Sequence, residues 1–141
     1  MPLKSYLVAE VMTPHPIVVE SEAPLAEVER LMEEHHIRRL PVLEHGRLVG
    51  IISKGDLREA RMAELACRHP YEPVTEPGWL TAAEAMTTPV ITVTPQTPLV
   101  EAAQLMLEYK IGGLPVLEND HLVGILTDTD IIRLLVTETL S

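Results

Sequence analysis

Two kinds of apolar spacing alternate along this chain, and the alternation happens twice. Ile17-Val18-Val19 and Val90-Ile91-Thr92-Val93 are short β-branched runs of the kind a buried strand uses. Each gives way to a helical period: Leu25, Val28, Leu31 and Met32 in one place, and Leu99, Ala102, Ala103, Leu105 and Met106 in the other. Pro24 and Pro98 stand where a first helical turn tolerates a missing N–H, with Thr97 as the expected N-cap of the second helix. Arg39 to Leu43 and Leu48 to Ile52 then flank a turn at Glu44-His45-Gly46, which predicts a β-hairpin; the second hairpin turns at Glu118-Asn119-Asp120. Closing helices open at Ser53 and Thr127 and carry Leu57, Met62 and Leu65, then Ile131, Ile132, Leu134 and Leu135. Thr81-Ala82-Ala83-Glu84 has capping-box spacing and predicts a short lead-in helix, with Ser5 to Val11 as its counterpart.

Each half therefore reads β-α-β-β-α, an α/β (α+β) design, and the halves are copies. A shift of 74 positions lays residues 11–57 on 85–131 without a gap. Met12/Met86, Thr13/Thr87, Pro24/Pro98, Leu25/Leu99 and Glu27/Glu101 coincide. Leu40-Pro41-Val42-Leu43-Glu44 falls on Leu114-Pro115-Val116-Leu117-Glu118, and the Gly50 to Asp56 segment falls on Gly124 to Asp130. The expected organisation is a first repeat with its lead-in helix over 1–66, a Pro- and Gly-containing linker over 67–80, and a second repeat over 81–141. Two copies that each leave an apolar face uncovered can bury those faces together, and clefts between them suit ligands.

Composition narrows the function. At 141 residues and 46% hydrophobic, the chain can build a core. Its apolar runs, such as Leu122 to Leu126, are too short for a bilayer, and its opening residues lack a signal peptide's apolar stretch, so the expectation is a cytoplasmic chain without a membrane partner. The single Cys67 has no partner for an intramolecular disulfide, in keeping with a reducing compartment. A net charge of −10 repels nucleic-acid phosphates, and the absence of Phe beside a single Trp leaves little for base stacking. The charge is unevenly shared: residues 1–70 carry nine Lys/Arg against eleven Asp/Glu, whereas residues 71–141 carry two against ten. A phosphate partner would be met mainly by first-copy side chains.

The element order, the Met-Thr step before the first strand, the Leu-Pro-Val of the middle strand and the closing Gly-x-x-Ser/Thr-x-x-Asp resemble the cystathionine β-synthase (CBS) domain family. Found twice at one offset over roughly residues 5–137, they look like one tandem CBS pair. The resemblance implies two β-α-β-β-α units packed about a pseudo-two-fold axis through their sheets. It also implies a sensor of adenine-containing ligands such as AMP, ADP, ATP or S-adenosylmethionine.

Ser53-x-x-Asp56 and Thr127-x-x-Asp130 admit two compatible readings. As helix caps, the hydroxyl accepts an early backbone N–H and the carboxylate favours the positive helix end. As binding groups, a carboxylate fixed at a helix start can accept from both hydroxyls of a ribose while free N–H groups face an anion. By family analogy each cleft joins one copy's closing motif to the other copy's first strand and the residues before its Leu-Pro. One expected site takes Ile125, Thr127, Thr129 and Asp130 with Pro16, Ile17, Ile37, Arg38 and Arg39; Ile17, Ile37 and Ile125 would sandwich the adenine. The other takes Ile51, Ser53 and Asp56 with Val90, Ile91, Ile111, Gly112 and Gly113. Because Arg38-Arg39 offers permanent charge where Gly112-Gly113 offers none, two unequal sites are expected, with the Asp130 site preferring a phosphorylated nucleotide and the Asp56 site weaker, empty or suited to a less charged adenosyl ligand. The plain alternative makes both arginines solvated strand-edge charges.

Other constellations carry less. Adjacent His35 and His36 on a helix point about 100° apart and do not grip one ion. Glu33-Glu34 reads as a solvated face, and the Met pair of the helical stripe as core filler. No nucleophile–base pair or Walker-type glycine loop occurs, so no enzyme, no metal site and no required cofactor is expected, with magnesium entering only alongside a polyphosphate. The expectation is a stand-alone regulatory module acting through shape or assembly on an unknown regulated protein. Its apolar closing helices suggest a homodimer. The competing class is a structural interaction module that keeps the fold and binds no nucleotide.

Overall fold

The computed structural model describes residues 5–66 and 79–140. Most of the 67–80 linker, including Cys67, lies outside the described residues.

The hairpins set the frame. His45 and Gly46 both take positive φ (52° and 79°), as do Asn119 and Asp120 (51° and 65°). Two consecutive left-handed residues make a tight loop whose twist matches the flanking strands. They join β3 (Arg39–Glu44) to β4 (Arg47–Ser53) and β5 (Gly113–Glu118) to β6 (His121–Thr127). In each pair the register slips by one residue just after Val42 or Val116, leaving Val49 or Val123 as the extra residue of a bulge.

The first strands are shorter than the β-branched runs suggest. In the first copy only Val19–Glu20 (β2) pairs, parallel to β3, with Val19 opposite Val42. In the second the expected Val90–Val93 strand shrinks to a single parallel bridge, Val93 opposite Val116. A turn follows at once, in which the Thr97 hydroxyl accepts the Thr94 N–H at 3.0 Å. That bond uses the group expected to cap the next helix, so Pro98 holds the N-cap position with no side-chain bond.

Helices α2 (Leu25–His35) and α5 (Leu99–Tyr109) bury Leu25, Val28 and Met32, and Leu99, Ala102 and Met106. Each ends on a left-handed residue, His36 or Lys110, whose N–H returns to the carbonyl of Met32 or Met106. His35 and His36 are thus an exposed helix end. The closing helices are α3 (Lys54–Ala66) and α6 (Asp128–Leu140); the lead-in helices are α1 (Val8–Val11) and α4 (Ala82–Ala85).

Packing crosses the boundaries of the copies. One compact unit is Ile17–Val90, and the other combines Met1–Pro16 with Ile91–Ser141. The lead-in helices cause the exchange. Val8 is wholly enclosed with Leu99, Leu114 and Leu126, whereas Ala82 is wholly enclosed with Leu25, Leu40 and Ile52. Burying each of those leucines or the isoleucine contributes about 1.5–3 kcal/mol over leaving it in water. A helix start has unsatisfied N–H groups, and here the partners are loop carbonyls of the other copy. Val8 and Ala9 donate to Thr97 and Pro95, and Ala82 and Ala83 donate to Ala23 and Ser21, all at 2.9 Å. The Met-Thr steps follow the lead-in helices. Thr13–Pro14 (β1) pairs antiparallel with β6, giving a sheet ordered β1-β6-β5; Thr87 bridges Ile51 beside the sheet ordered β2-β3-β4.

Candidate functional site

Both closing motifs form capping boxes. The Ser53 N–H donates to Asp56 Oδ2 at 2.9 Å, and the Asp56 N–H returns to the Ser53 hydroxyl at 3.0 Å. In the other unit the Thr127 N–H donates to Asp130 Oδ2 at 2.9 Å, and the Asp130 N–H reaches the Thr127 hydroxyl at 3.4 Å. The Thr127 hydroxyl also donates to Oδ2, at 3.1 Å. Each carboxylate is thereby fixed at the start of a 13-residue helix, where the helix dipole favours negative charge.

A third residue joins each corner from the Met-Thr step. The Thr13 hydroxyl donates to Asp130 Oδ1 at 3.0 Å, and the Thr87 hydroxyl to Asp56 Oδ2 at 3.2 Å. The glycine that opens each closing motif makes room for this approach. A Cβ on Gly124 would stand 2.6 Å from Met12 Sδ and 3.0 Å from the Thr13 carbonyl oxygen, and one on Gly50 would run into the Met86 side chain. The repeated Met-Thr and Gly positions are therefore one arrangement, with Met over Gly bringing Thr to Asp. Sequence reasoning gave Thr13 and Thr87 no role, although their coincidence in the repeat was the available signal.

The corners differ in two respects. Arg133 Nη1 lies 3.3 Å from Asp130 Oδ1, with the arginine side chain 68% exposed and the aspartate side chain 4% exposed. Asp56 is only partly buried, and among the described residues no donor reaches its Oδ1. The residues before each Leu-Pro also differ. Arg38 accepts the Lys54 N–H on its carbonyl at 2.7 Å and Arg39 pairs with Ser53, so both arginines lie beside the closing motif of their own copy. Gly112 likewise accepts the Asp128 N–H at 3.0 Å, and Gly113 pairs with Thr127.

The Ile17–Val90 unit thus holds Ile17, Ile37, Arg38, Arg39, Ile51, Ser53, Asp56 and Val90, with Ile17 and Ile37 half-buried against its core. The other unit holds Pro16, Ile91, Ile111, Gly112, Gly113, Ile125, Thr127, Thr129 and Asp130, with Ile91 and Ile111 against its core and Thr129 exposed. Each residue set expected from the sequence draws on both units.

A buried carboxylate that the sequence did not flag is Glu64, which accepts the Leu80 N–H at 2.9 Å and pairs with Arg61 at 3.2 Å. Arg61 also reaches Glu29 at 3.4 Å, so this cluster ties residue 80 and α2 to α3. Among the described residues no three His, Cys, Asp or Glu side chains gather as a metal cluster, and no helix is long and apolar enough to cross a membrane.

The sequence pattern of the CBS domain matches residues 8–63 and again residues 82–137. L-aspartate semialdehyde sulfurtransferase of Methanocaldococcus jannaschii is 34% identical over 137 residues, covering 94% of this chain; this chain spans only 24% of that enzyme's length. The crystal structure of the CBS domain pair of protein MJ0100 in complex with 5′-methylthioadenosine and S-adenosyl-L-methionine superposes with a TM-score of 0.79 at 32% identity, covering 94% of this chain and 98% of that one. CBSX2 in complex with AMP gives a TM-score of 0.76 at 27% identity, over 96% and 99%.

Proposed function

The chain belongs to the CBS domain family, of which it carries two copies, and on that premise we propose that it is a regulatory module binding an adenosine-bearing ligand at its closing corners. The carrying observation is the carboxylate fixed at a helix start by its own capping box, with Arg38 and Arg39 adjacent in the first copy. A vicinal diol needs such an acceptor, and a phosphate needs such a cation. Relatives of the same fold hold AMP, S-adenosylmethionine and methylthioadenosine, which is the ligand class the corner chemistry suits. The Asp56 corner of the Ile17–Val90 unit and the Asp130 corner of the other unit are the binding sites proposed. Magnesium enters only with a polyphosphate.

Signalling runs through the closing helices, whose starts hold the ligand-binding carboxylates Asp56 and Asp130. Their exposed apolar residues, Met62 and Leu65 on α3 and Ile132, Leu135 and Val136 on α6, would seat a second copy or a regulated protein. The same residues support the rival reading of a docking module without a ligand.

Thermal unfolding with AMP, ADP, ATP and S-adenosylmethionine separates the readings, because a ligand selective for the folded state stabilises it by about 2.7 kcal/mol at one hundred times its Kd. The expected outcome is a raised Tm with at least one of them, and none with inorganic phosphate. A flat Tm with all four at millimolar concentration, in protein stripped of co-purified ligand, refutes the adenosine reading and leaves the docking module.

A further inference from the structure

The Asp130 carboxylate has no acceptor capacity to spare. A carboxylate offers about four lone-pair positions. The Thr127 N–H and hydroxyl fill two on Oδ2; the Thr13 hydroxyl and the Arg133 guanidinium fill two on Oδ1. Asp56, in the matching corner, has both of its side-chain-acceptor bonds from Ser53 and Thr87 on Oδ2, and among the described residues its Oδ1 accepts nothing. Part of the difference lies in the hydroxyls, since Thr13 donates to Oδ1 and the Thr127 hydroxyl to Oδ2 of Asp130 whereas Thr87 donates to Oδ2 of Asp56; the charged part traces to one position. Three residues beyond Asp130 the chain places Arg133, and the 74-residue shift puts Glu59 at the same place beyond Asp56. Side chains at i and i+3 of a helix are neighbours, so Arg133 attracts its aspartate where Glu59 repels its own.

We infer that Arg133 guards Asp130, so that the two copies bind a ribose-bearing ligand unequally: the Asp56 corner takes it directly, and the Asp130 corner takes it only as Arg133 lets go. This rests on the proposed function and reverses the ranking that the arginine count alone suggests. Of the four donors on Asp130, Arg133 is the one a ligand displaces. It is the longest bond to the carboxylate, at 3.3 Å, and its side chain is 68% exposed, whereas the Thr127 N–H is fixed in the backbone. A pair this exposed is weak, so the guard acts as a threshold that a ligand crosses at higher concentration. Its release leaves a guanidinium free on α6, making occupancy of that corner a change of surface charge.

Titration calorimetry with AMP on the full chain tests this. Wild-type protein should show two unequal sites, and Asp56→Ala should remove the tighter one. Arg133→Ala should tighten the weaker site by about two- to five-fold and leave the tighter one unchanged. Glu59→Arg should install a guard at Asp56 and weaken the tighter site. Since Arg133 and Glu59 are both exposed, these variants keep the fold, which their unliganded Tm confirms. If Arg133→Ala leaves the weaker site unchanged, or weakens it, the guard is overturned while the adenosine reading stands; in the second case Arg133 is itself a ligand contact. If wild type and Arg133→Ala both bind no AMP, the guard and the proposed use of AMP fall together.

Discussion

Asp56 and Asp130 occupy the same turn of the same fold, held by the same capping box and approached by the same threonine. They are nevertheless different chemical groups. Asp130 is enclosed, takes donors on both oxygens and pairs with an arginine; among the described residues Asp56 takes donors on one oxygen only, its closing motif begins opposite Arg39, and a glutamate stands where the arginine would be. Repetition therefore preserved the scaffold of the corner and let its electrostatics diverge. Shared motif residues say where a carboxylate is fixed, and the hydroxyls around it together with the residue one helical turn on decide what that carboxylate is free to do.

Substitution at the two glycines should break the likeness most strongly. At Gly124 an added Cβ meets both Met12 Sδ and the Thr13 backbone oxygen, whereas at Gly50 the three nearest atoms all belong to the Met86 side chain. Gly124→Ala should cost about 2 kcal/mol, the range of an overpacked site, and Gly50→Ala less, because a side chain yields more readily than backbone. Urea denaturation measures both, and recovery of Gly50→Ala in a Met86→Ala background would confirm the cause. Equal losses at the two glycines would show that backbone crowding is not what separates them.

The threonines give a smaller contrast. Thr13→Val removes a donor from an enclosed carboxylate and should cost about 1.5 kcal/mol, whereas Thr87→Val acts on a more open one and should cost about 0.5 kcal/mol. The same denaturation series reads this difference. An equal cost would mean that the burial of Asp130 contributes nothing to the bond.

The least effect is expected at the far end of α6. The Tyr6 hydroxyl bonds to Glu138, which holds that carboxyl below the ordinary carboxylate range and raises the tyrosine above its usual value. A lowered carboxylate stabilises above its unfolded pKa and loses this as pH falls through the folded value; a raised tyrosine stabilises below its unfolded pKa and loses this as pH rises through the folded one. The Tm gap between wild type and Tyr6→Phe should therefore be widest around neutral pH and close in acid and in strong alkali. A gap that is constant from acid to alkali would assign Tyr6 a packing role only.

Much of this was legible beforehand. The hairpins needed only their turn residues, since His45-Gly46 and Asn119-Asp120 tolerate the left-handed backbone that a two-residue loop demands. The capping boxes at both closing corners followed from spacing. What stayed hidden is relational. Periodicity says that Val8 and Ala82 face a core and does not say which one, so the exchange of lead-in segments left no trace in the pattern. The single-bridge contact at Val93 was hidden too, because β-branched residues favour extended backbone whether or not a neighbouring strand lies beside all of them. Thr13 and Thr87 went unassigned for a related reason: a hydroxyl's partner is a matter of three-dimensional proximity, and theirs lie 117 and 31 residues away.

The exchanged lead-in segments change what a minimal fragment of this molecule would be. A gene piece cut at the sequence seam ends with its hydrophobic pocket for the sister's opening helix vacant and its own opening helix unhoused, so it carries both halves of a reciprocal docking contact. Two such pieces can satisfy each other as an intermolecular swap, whereas a piece cut as 17–90 already encloses what it needs and has no helix to lend.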